Sequence, residues 1–400
     1  MKVLEANTPV GVVGAGTMGA GIAQVAATAG HPVRVYDTSS QALQQGRARL
    51  EHFLRRRVEK GKLEPDQARS ILERIYWSGE RAALSGSGLV IEAIVEDLDA
   101  KKEVFRQLEE TVAEDCLLAT NTSSLSITSI AAACRNPGRV LGTHFFNPAP
   151  LMRLGEIIPG FRTEPDTLVQ AGRLIREWGK TTVVARDTPG FIVNRVARPF
   201  YGEAIKMLEE GVADASTIDW AMRERGGFRM GPFELMDLIG NDVNFEVTET
   251  LFRAFFGDPR YRPSFTQKRM VEAGLLGRKS GRGFYNYGTG DARPQPRRET
   301  GLGEEILLRI LVMLMNEAAE AVFLRVASVQ DVDQAMKKGV NYPKGPLEWA
   351  DEMGLDQVWQ RLHDLQEEFG DDRYRPSPLI RRMARRHQRF HDLSQPLSEG

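Results

Sequence analysis

The stretch Val10-Gly11-Val12-Val13-Gly14-Ala15-Gly16-Thr17-Met18-Gly19 decides the reading of the N-terminal half. Four residues of strand character run into three spaced glycines, and 18–28 then follows helical spacing. The first glycine allows a tight turn, the second lets the backbone approach a bound group, and the third lets the helix pack closely on the strand. The N-terminus of that helix offers free N–H groups and the positive end of its dipole to a pyrophosphate. Spaced glycines alone are a weak signal, since glycine is common. The setting strengthens it, because a second strand over 32–36 ends in Asp37. A carboxylate there accepts hydrogen bonds from both ribose hydroxyls of NAD and repels the 2′-phosphate of NADP. Thr38, Ser39 and Ser40 bring no arginine to hold such a phosphate, so the expected cofactor is NAD.

Working outward, residues 1–186 alternate β-rich runs with helical patterns, as an α/β sheet does. Further strands are expected at 89–94, 117–120, 140–144, 155–158 and 181–185. The stretch 41–77 reads as two long, Arg-rich helices in one crossover. Beyond Asp187 the pattern turns helical to about Lys279, and the Gly-, Pro- and Arg-bearing segment that follows reads as a linker. A second helical block runs to about Arg386. The expected organisation is an α/β Rossmann-type NAD-binding domain at 1–186, a helical domain at 187–288, a linker at 289–303, a second helical domain at 304–386 and a frayed tail at 387–400.

The two helical blocks repeat each other. Glu203-Ala204, Asp219, Met222, Gly231-Pro232, Glu234, Asp237 and Gly240 recur 114 positions later as Glu317-Ala318, Asp333, Met336, Gly345-Pro346, Glu348, Asp351 and Gly354. Phe256-Gly257-Asp258 and Tyr261-Arg262-Pro263-Ser264 recur 113 positions on. So many identities in fixed register indicate a duplicated all-α domain. Asn194 falls opposite Leu308, whereas Arg195 matches Arg309, so the copy keeps framework residues and lacks this polar one.

Bulk properties exclude several classes. A formal net charge of −1 with 27% charged residues gives no reason to expect nucleic acid or an acidic membrane as partner. Cys116 and Cys134 make no disulfide framework and read as reduced thiols of a cytoplasmic enzyme. Residues 1–9 carry no apolar signal core, and 306–324 is interrupted by Arg309, Asn316, Glu317 and Glu320, so it reads as a buried helix and not a membrane span.

The stretches that bear on chemistry are Asn121-Thr122-Ser123-Ser124, His144-Phe145-Phe146-Asn147-Pro148, Glu156, and Pro189-Gly190-Phe191-Ile192-Val193-Asn194. Oxidising a secondary alcohol needs a base that titrates near working pH, which suits histidine. A partner carboxylate fixes the tautomer and stabilises the imidazolium. A hairpin joining 140–144 to 155–158 can bring Glu156 to His144. A lone His before Phe-Phe is otherwise more often a structural residue.

With these motifs in order from about residue 10 to residue 287, the chain resembles the L-3-hydroxyacyl-CoA dehydrogenase family. Its doubled helical block is similar to members that handle 3-hydroxyadipyl-CoA or 3-hydroxybutyryl-CoA. The resemblance implies NAD-dependent oxidation of a 3-hydroxyacyl-CoA, in phenylacetate or fatty-acid breakdown, by a homodimer. It implies His144 as base and Glu156 as its partner. Ser123 and Asn194 would hydrogen-bond substrate oxygens, and Asn147 would hold substrate and cofactor. Cofactor contacts would come from Gly14, Gly16, Thr17, Met18, Gly19, Asp37, Glu96, Lys101, Asn121, Ser123, Asn147 and Lys279. A contact to the CoA portion is implied near Arg57, within the basic cluster Arg55, Arg56, Arg57, Lys60 and Lys62, whose other members read as a solvated helix face. His31, His52, His363, His387 and His391 show no metal-ligand spacing with Cys or carboxylate, and no metal is expected. A dicarboxylic acyl chain would call for a deep cation, with Arg195, Arg198 and Arg223 as candidates and nothing in the sequence to select one.

Two other readings compete. A related NAD-dependent dehydrogenase of free 3-hydroxy acids would more often use a lysine base, against the Ser123, His144 and Glu156 set. A non-catalytic NAD-binding structural relative would show no NADH production with any acyl-CoA. From Asp37, NAD is expected to give a kcat/KM at least about tenfold above NADP, or about 1.4 kcal/mol of discrimination. Steady-state rates with the two cofactors check this, and equal rates would refute it.

Overall fold

The computed structural model describes residues 4–5, 7–288 and 293–393. Residues 289–292 of the expected linker and 394–400 of the expected tail lie outside the described residues, as do 1–3 and 6. The chain divides into two compact units, Met1–Phe191 and Ile192–Gly400.

The first unit is built on eight strands: β1 (Val10–Val13), β2 (Val33–Tyr36), β3 (Ile75–Ser78), β4 (Leu89–Glu92), β5 (Leu117–Thr120), β6 (Val140–Phe145), β7 (Leu154–Pro159) and β8 (Thr181–Val184). They form one sheet in the order β3-β2-β1-β4-β5-β6-β7-β8. All neighbours are parallel except β6 and β7. Helices α1 (Thr17–Thr28), α2 (Ser40–Glu59), α3 (Pro65–Glu73), α4 (Leu98–Glu109), α5 (Ile127–Ala131) and α6 (Pro165–Glu177) connect them.

The apolar strands β1, β4 and β5 read as continuous hydrophobic runs because both faces are covered. Val12, Ile91 and Leu117 join one buried cluster with residues of α1, α2 and α6, while Val13, Val90 and Leu118 join another with Phe105 and Ile130. Neighbours along a strand thus serve opposite layers, as the two-residue period requires. Each such fully buried side chain contributes about 1.5–3 kcal/mol.

The sequence reading of 41–77 as helix fails at its end. Ile75–Ser78 is an edge strand pairing parallel with β2. Four residues are too few to show a period, and what makes them a strand is the free edge of β2, which lies far off in the chain.

The second unit contains α7 (Val193–Val196), α8 (Arg198–Glu209), α9 (Ala215–Trp220), α10 (Pro232–Ile239), α11 (Asn241–Ala254), α12 (Phe265–Glu272), α13 (Thr300–Phe323), α14 (Val329–Gly339), α15 (Pro346–Met353), α16 (Leu355–Phe369) and α17 (Pro378–Ala384). Helix α13 begins at Thr300, inside the stretch read as linker.

The same local devices occur twice in this unit. Asp219 accepts the N–H groups of Phe233 and Glu234 at the start of α10, and Asp333 accepts those of Leu347 and Glu348 at the start of α15. Arg223 pairs with Glu234, and Lys337 with Glu348. Larger still is a reciprocal exchange of buried charge. Arg195 Nε lies 2.5 Å from Glu317, Tyr261 donates its hydroxyl to the same carboxylate, and Arg260 stands 3.6 Å away. In return Arg309 reaches Glu203 at 3.2 Å, Tyr374 donates to Glu203 at 3.0 Å, and Arg373 stands 3.5 Å away. Arg195 lies over the Phe255 ring and Arg309 over Phe369. Each helical segment therefore holds the carboxylate whose cation belongs to the other.

One gathering of side chains escaped the sequence. Asp333, Glu348 and His391 offer ligand atoms within 4.8 Å of one another. Both Asp333 oxygens accept N–H groups of α15, Glu348 accepts from Gly345 and Lys337, and His391 bridges Asp333 and Asp351. These contacts make the cluster a helix-capping and ion-pairing device.

Glu317→Ala would leave Arg195 buried without its counter-charge. Chemical denaturation is expected to report a loss of about 3–5 kcal/mol, the usual cost of breaking a buried pair on one side. A loss below about 1 kcal/mol, the scale of a surface pair, would contradict the account.

Candidate active site

The glycine turn is shaped for close approach. Gly14 sits at φ 99, where a Cβ would lie 2.7 Å from the Ala93 carbonyl oxygen. A Cβ on Gly19 would overlap the Gly14 carbonyl, so any larger residue would push α1 off β1. Gly16 faces open space. The first turn of α1, with Thr17 and Met18, carries no acidic side chain, so nothing offsets its dipole. Asp37, at the end of β2, accepts the Ala15 N–H at 2.8 Å through one oxygen and the Ser39 N–H at 2.8 Å through the other. The carboxylate is thereby fixed beside the turn, and each oxygen keeps a lone pair for a hydroxyl. These residues fit a dinucleotide.

Across the sheet, the fully buried Glu92 ends β4 and pairs with the buried Lys101 at 2.6 Å. It also accepts from the Thr120 hydroxyl at 2.7 Å and the Ile94 N–H at 2.6 Å. Lys101 lies 3.4 Å from Glu96. Glu96 in turn collects the Thr122 hydroxyl and both the N–H and hydroxyl of Ser123 and Ser124. Burial works to raise the Glu96 carboxyl, but Lys101 and these hydrogen bonds outweigh it and hold the group below the ordinary carboxylate range. The sequence reading missed Glu92. Its only mark is an acid closing the apolar run Leu89-Val90-Ile91.

His144 and Glu156 stand directly opposite one another in the antiparallel β6–β7 register. His144 Nδ1 lies 2.6 Å from Glu156 Oε2. Glu156 is fully buried and His144 is 5% exposed. Phe146 and Phe191 flank the imidazole, with ring centroids at 4.4 and 5.9 Å. With Nδ1 engaged by the carboxylate, Nε2 is the nitrogen left to act as acceptor. Asn121 accepts the Phe145 N–H at 2.8 Å and so ties the end of β5 to the end of β6. Asn147 follows on the surface.

Ser123, Glu96, Lys101, Asn121, His144, Asn147 and Glu156 thus all belong to the first unit, Asn121, Ser123, His144 and Asn147 at or just beyond the ends of β5 and β6, Glu96 in the loop after β4, Lys101 in the first turn of α4 and Glu156 within β7. Strand ends are where ligands bind in open α/β sheets. Arg57 lies on α2 and lines a cavity of about 150 Å³ with Gln24, Phe53, Pro150 and Lys180. Lys180 donates to the Ala149 and Met152 carbonyls, and burial pulls its pKa down to about 8. Asn194 and Lys279 belong to the second unit. Asn194 lies in α7, and Lys279 pairs with Asp242 at 2.6 Å. Cys116 and Cys134 are free and buried, and burial pushes both thiols up to about 12. Among the described residues no helix is long and apolar enough to cross a membrane.

A dinucleotide turn and a paired histidine and carboxylate carried on one sheet fit the class of NAD-dependent dehydrogenases of alcohols. Comparison with known proteins narrows the class. The family model for the 3-hydroxyacyl-CoA dehydrogenase NAD binding domain matches residues 9–188, and that for the 3-hydroxyacyl-CoA dehydrogenase C-terminal domain matches 190–287 and 306–391. The chain is 39% identical to 3-hydroxyadipyl-CoA dehydrogenase of Escherichia coli K12, over 94% of this chain and 97% of that protein. It is 44% identical to a probable 3-hydroxybutyryl-CoA dehydrogenase of Bacillus subtilis, over 69% of this chain and 96% of that one. The crystal structure of 3-hydroxybutyryl-CoA dehydrogenase from Escherichia coli K12 superposes with a TM-score of 0.90 at 38% identity, covering 96% of this chain and 99% of that one. This chain belongs to the 3-hydroxyacyl-CoA dehydrogenase family and carries out NAD-dependent oxidation of 3-hydroxyacyl-CoA.

The depressed Glu96 carboxyl has a consequence in acid. Its folded pKa lies below the unfolded one, so its stabilising contribution is complete above the ordinary carboxylate range and is lost as pH falls through the lowered value. The stability gap between the wild type and Glu96→Gln is expected to be widest at neutral pH and to close as pH drops below about 4, the usual carboxylate pKa. Urea melts at several pH values check this, and a gap independent of pH would contradict it.

Proposed function

We propose that His144 is the general base of this reaction and Glu156 the group that orients it. The observation that carries the reading is the 2.6 Å contact between His144 Nδ1 and Glu156 Oε2, on facing residues of β6 and β7. It commits Nδ1 and leaves Nε2 to take the proton of the substrate's 3-hydroxyl. The buried carboxylate then stabilises the imidazolium that forms. NAD, when bound, supplies the acceptor for the hydride that leaves C3 as the carbonyl forms.

Gly14, Gly16, Thr17, Met18 and Gly19 would hold its pyrophosphate, and Asp37 its ribose. Glu96, Lys101, Asn121, Ser123, Asn147 and Lys279 are proposed as further cofactor contacts. Ser123, Asn147 and Asn194 are proposed to position the substrate, and Arg57 to meet the CoA portion, for which a guanidinium fork is suited.

The two C-terminal segments are proposed to be copies of one domain, separated by a linker that ends near Gly303. The second match of the C-terminal family model, over 306–391, supports this. Leu308 stands in the copy where Asn194 stands in the original, so the copy is proposed to be architectural. It supplies within one chain a surface that a second subunit would otherwise provide, at high effective concentration. A cytoplasmic setting, a homodimer of the whole chain, and a place in phenylacetate or fatty-acid breakdown complete the proposal.

NADH release from a panel of (S)-3-hydroxyacyl-CoA thioesters and the matching free acids tests the reading. Turnover is expected with thioesters alone. His144→Gln should lower kcat by about 10²-fold or more, the usual scale for a general base, with NADH binding retained. A fully active His144→Gln enzyme would overturn the assignment.

A further inference from the structure

The histidine of the proton pair rests against a residue with a strained backbone. Phe191 has φ 47, in the left-handed region. A bulky side chain is an outlier there and persists only where the surrounding structure over-determines it. Among the described residues Phe256, Arg325, Asn341 and His387 also take positive φ without being glycine. Each follows the end of a helix, α11, α13, α14 or α17, where a left-handed residue is an ordinary way to close the last turn. All four are exposed. Phe191 is fully buried and ends no helix, so this explanation does not extend to it.

What Phe191 touches is His144. Its ring lies 5.9 Å from the imidazole, centroid to centroid, at an interplanar angle of 57°, and Phe146 stands at 4.4 Å and 53°. The bond to Glu156 fixes one ring nitrogen, and by itself it leaves the imidazole free to swing about that contact. Two phenyl rings packed against the imidazole remove this freedom. A phenyl ring carries neither an N–H nor a lone pair, so neither of them competes for Nε2.

The segment that delivers Phe191 is anchored on the first unit. The Ala185 N–H donates to the Ile157 carbonyl at 3.0 Å, next to Glu156 on β7. Asp187 accepts the Ile127 and Thr128 N–H groups at 2.9 and 2.7 Å and the Ser126 hydroxyl at 2.9 Å. The Phe191 N–H closes a turn on the Thr188 carbonyl at 3.0 Å. Gly190, at φ 72, takes the same left-handed region without penalty. With Asp187 pinned and the turn closed, the backbone at 191 has to follow, and the ring comes to rest on the imidazole.

We infer that Phe191 is a positioning residue: its ring, kept against His144 by a left-handed backbone that the anchored segment enforces, sets the plane of the imidazole and so the direction of Nε2. The inference rests on the proposed role of His144 as the base. A base whose ring turns loses alignment with the substrate hydroxyl, and a misplacement of about 1 Å can lower turnover about 10²-fold.

Phe191→Gly and Phe191→Ala separate the ring from the fold, because both remove the ring and only glycine relieves the backbone. Phe191→Gly is therefore expected to melt at the higher temperature of the two. Both are expected to lose about tenfold or more in kcat, alike in spite of their different stability, with NADH binding retained. A larger loss in the less stable Phe191→Ala would mean that destabilisation is the cause, and would overturn the inference. A wild-type kcat in Phe191→Gly would do the same, as would a Phe191→Gly enzyme no more stable than Phe191→Ala. The second readout is magnetic resonance of the full-length protein with isotope-labelled histidine, in which the His144 ring signals are those absent from His144→Gln. They are expected to be sharp in the wild type and broadened in Phe191→Gly, and equally sharp signals in the two would refute the positioning role. Phe191→Leu keeps most of the buried volume and carries the test if the smaller variants fail to fold. Broadened His144 signals with a kcat lower by about threefold or more support the inference there, and wild-type values overturn it. A fully active His144→Gln enzyme would instead remove the base assignment, and the ring signals would still decide whether Phe191 holds the imidazole.

Discussion

Glu156 is completely buried, and a carboxylate removed from water must have a proton donor or a cation held against it. The reversal between β6 and β7 meets that need. Only residues 146–153 separate the two strands, too few for the helical crossover that a parallel pair requires. The chain must therefore return antiparallel, and the tight return sets His144 against Glu156. The one antiparallel pairing among the described strands of the sheet is thus also the one that brings His144 to Glu156. Asn121 fixes the neighbouring strand end to β6, so the adjoining serines are carried on the same frame.

The same constraint recurs wherever an acid is buried. Glu92 is surrounded by Lys101, Thr120 and an amide, and through Lys101 it steadies Glu96 in the loop after β4. In the second unit Glu203 and Glu317 each gather an arginine, a tyrosine and a further arginine. These groups share a logic. A buried carboxylate dictates what must surround it, so it fixes local geometry more sharply than apolar packing does. Arg198 is the exception of opposite sign, a buried cation held by a backbone carbonyl and a hydroxyl, with no carboxylate paired to it among the described residues.

How much of this was legible in the chain depended on how local the signal was. The glycine turn and Asp37 are short-range, and each local requirement is a residue type at a fixed offset. His144 and Glu156 lie twelve positions apart on two recognisable strands, so their meeting could be anticipated from a hairpin. The 114-residue repeat was visible as plain identity. Ile75–Ser78 was not legible as a strand, because its pairing partner, β2, decides its state. Glu92 was hidden because its role depends on Lys101, reached only when α4 packs down. The capping cluster of Asp333, Glu348 and His391 was hidden for the same reason, since its members are spread over 58 positions. Arg195, Arg198 and Arg223 looked alike in the sequence, and only their partners tell them apart.

The crossed carboxylates of the second unit also bear on how such an architecture persists. Glu317 neutralises a cation that belongs to the first helical segment, and Glu203 one that belongs to the second. Neither segment is electrically complete by itself. Discarding either one would strand a guanidinium in the apolar interior of the other, and a change on one side demands an answering change on the other. The exchange works as a lock: losing one segment strips the other of its counter-charge, so the penalty for any change at the seam falls on both.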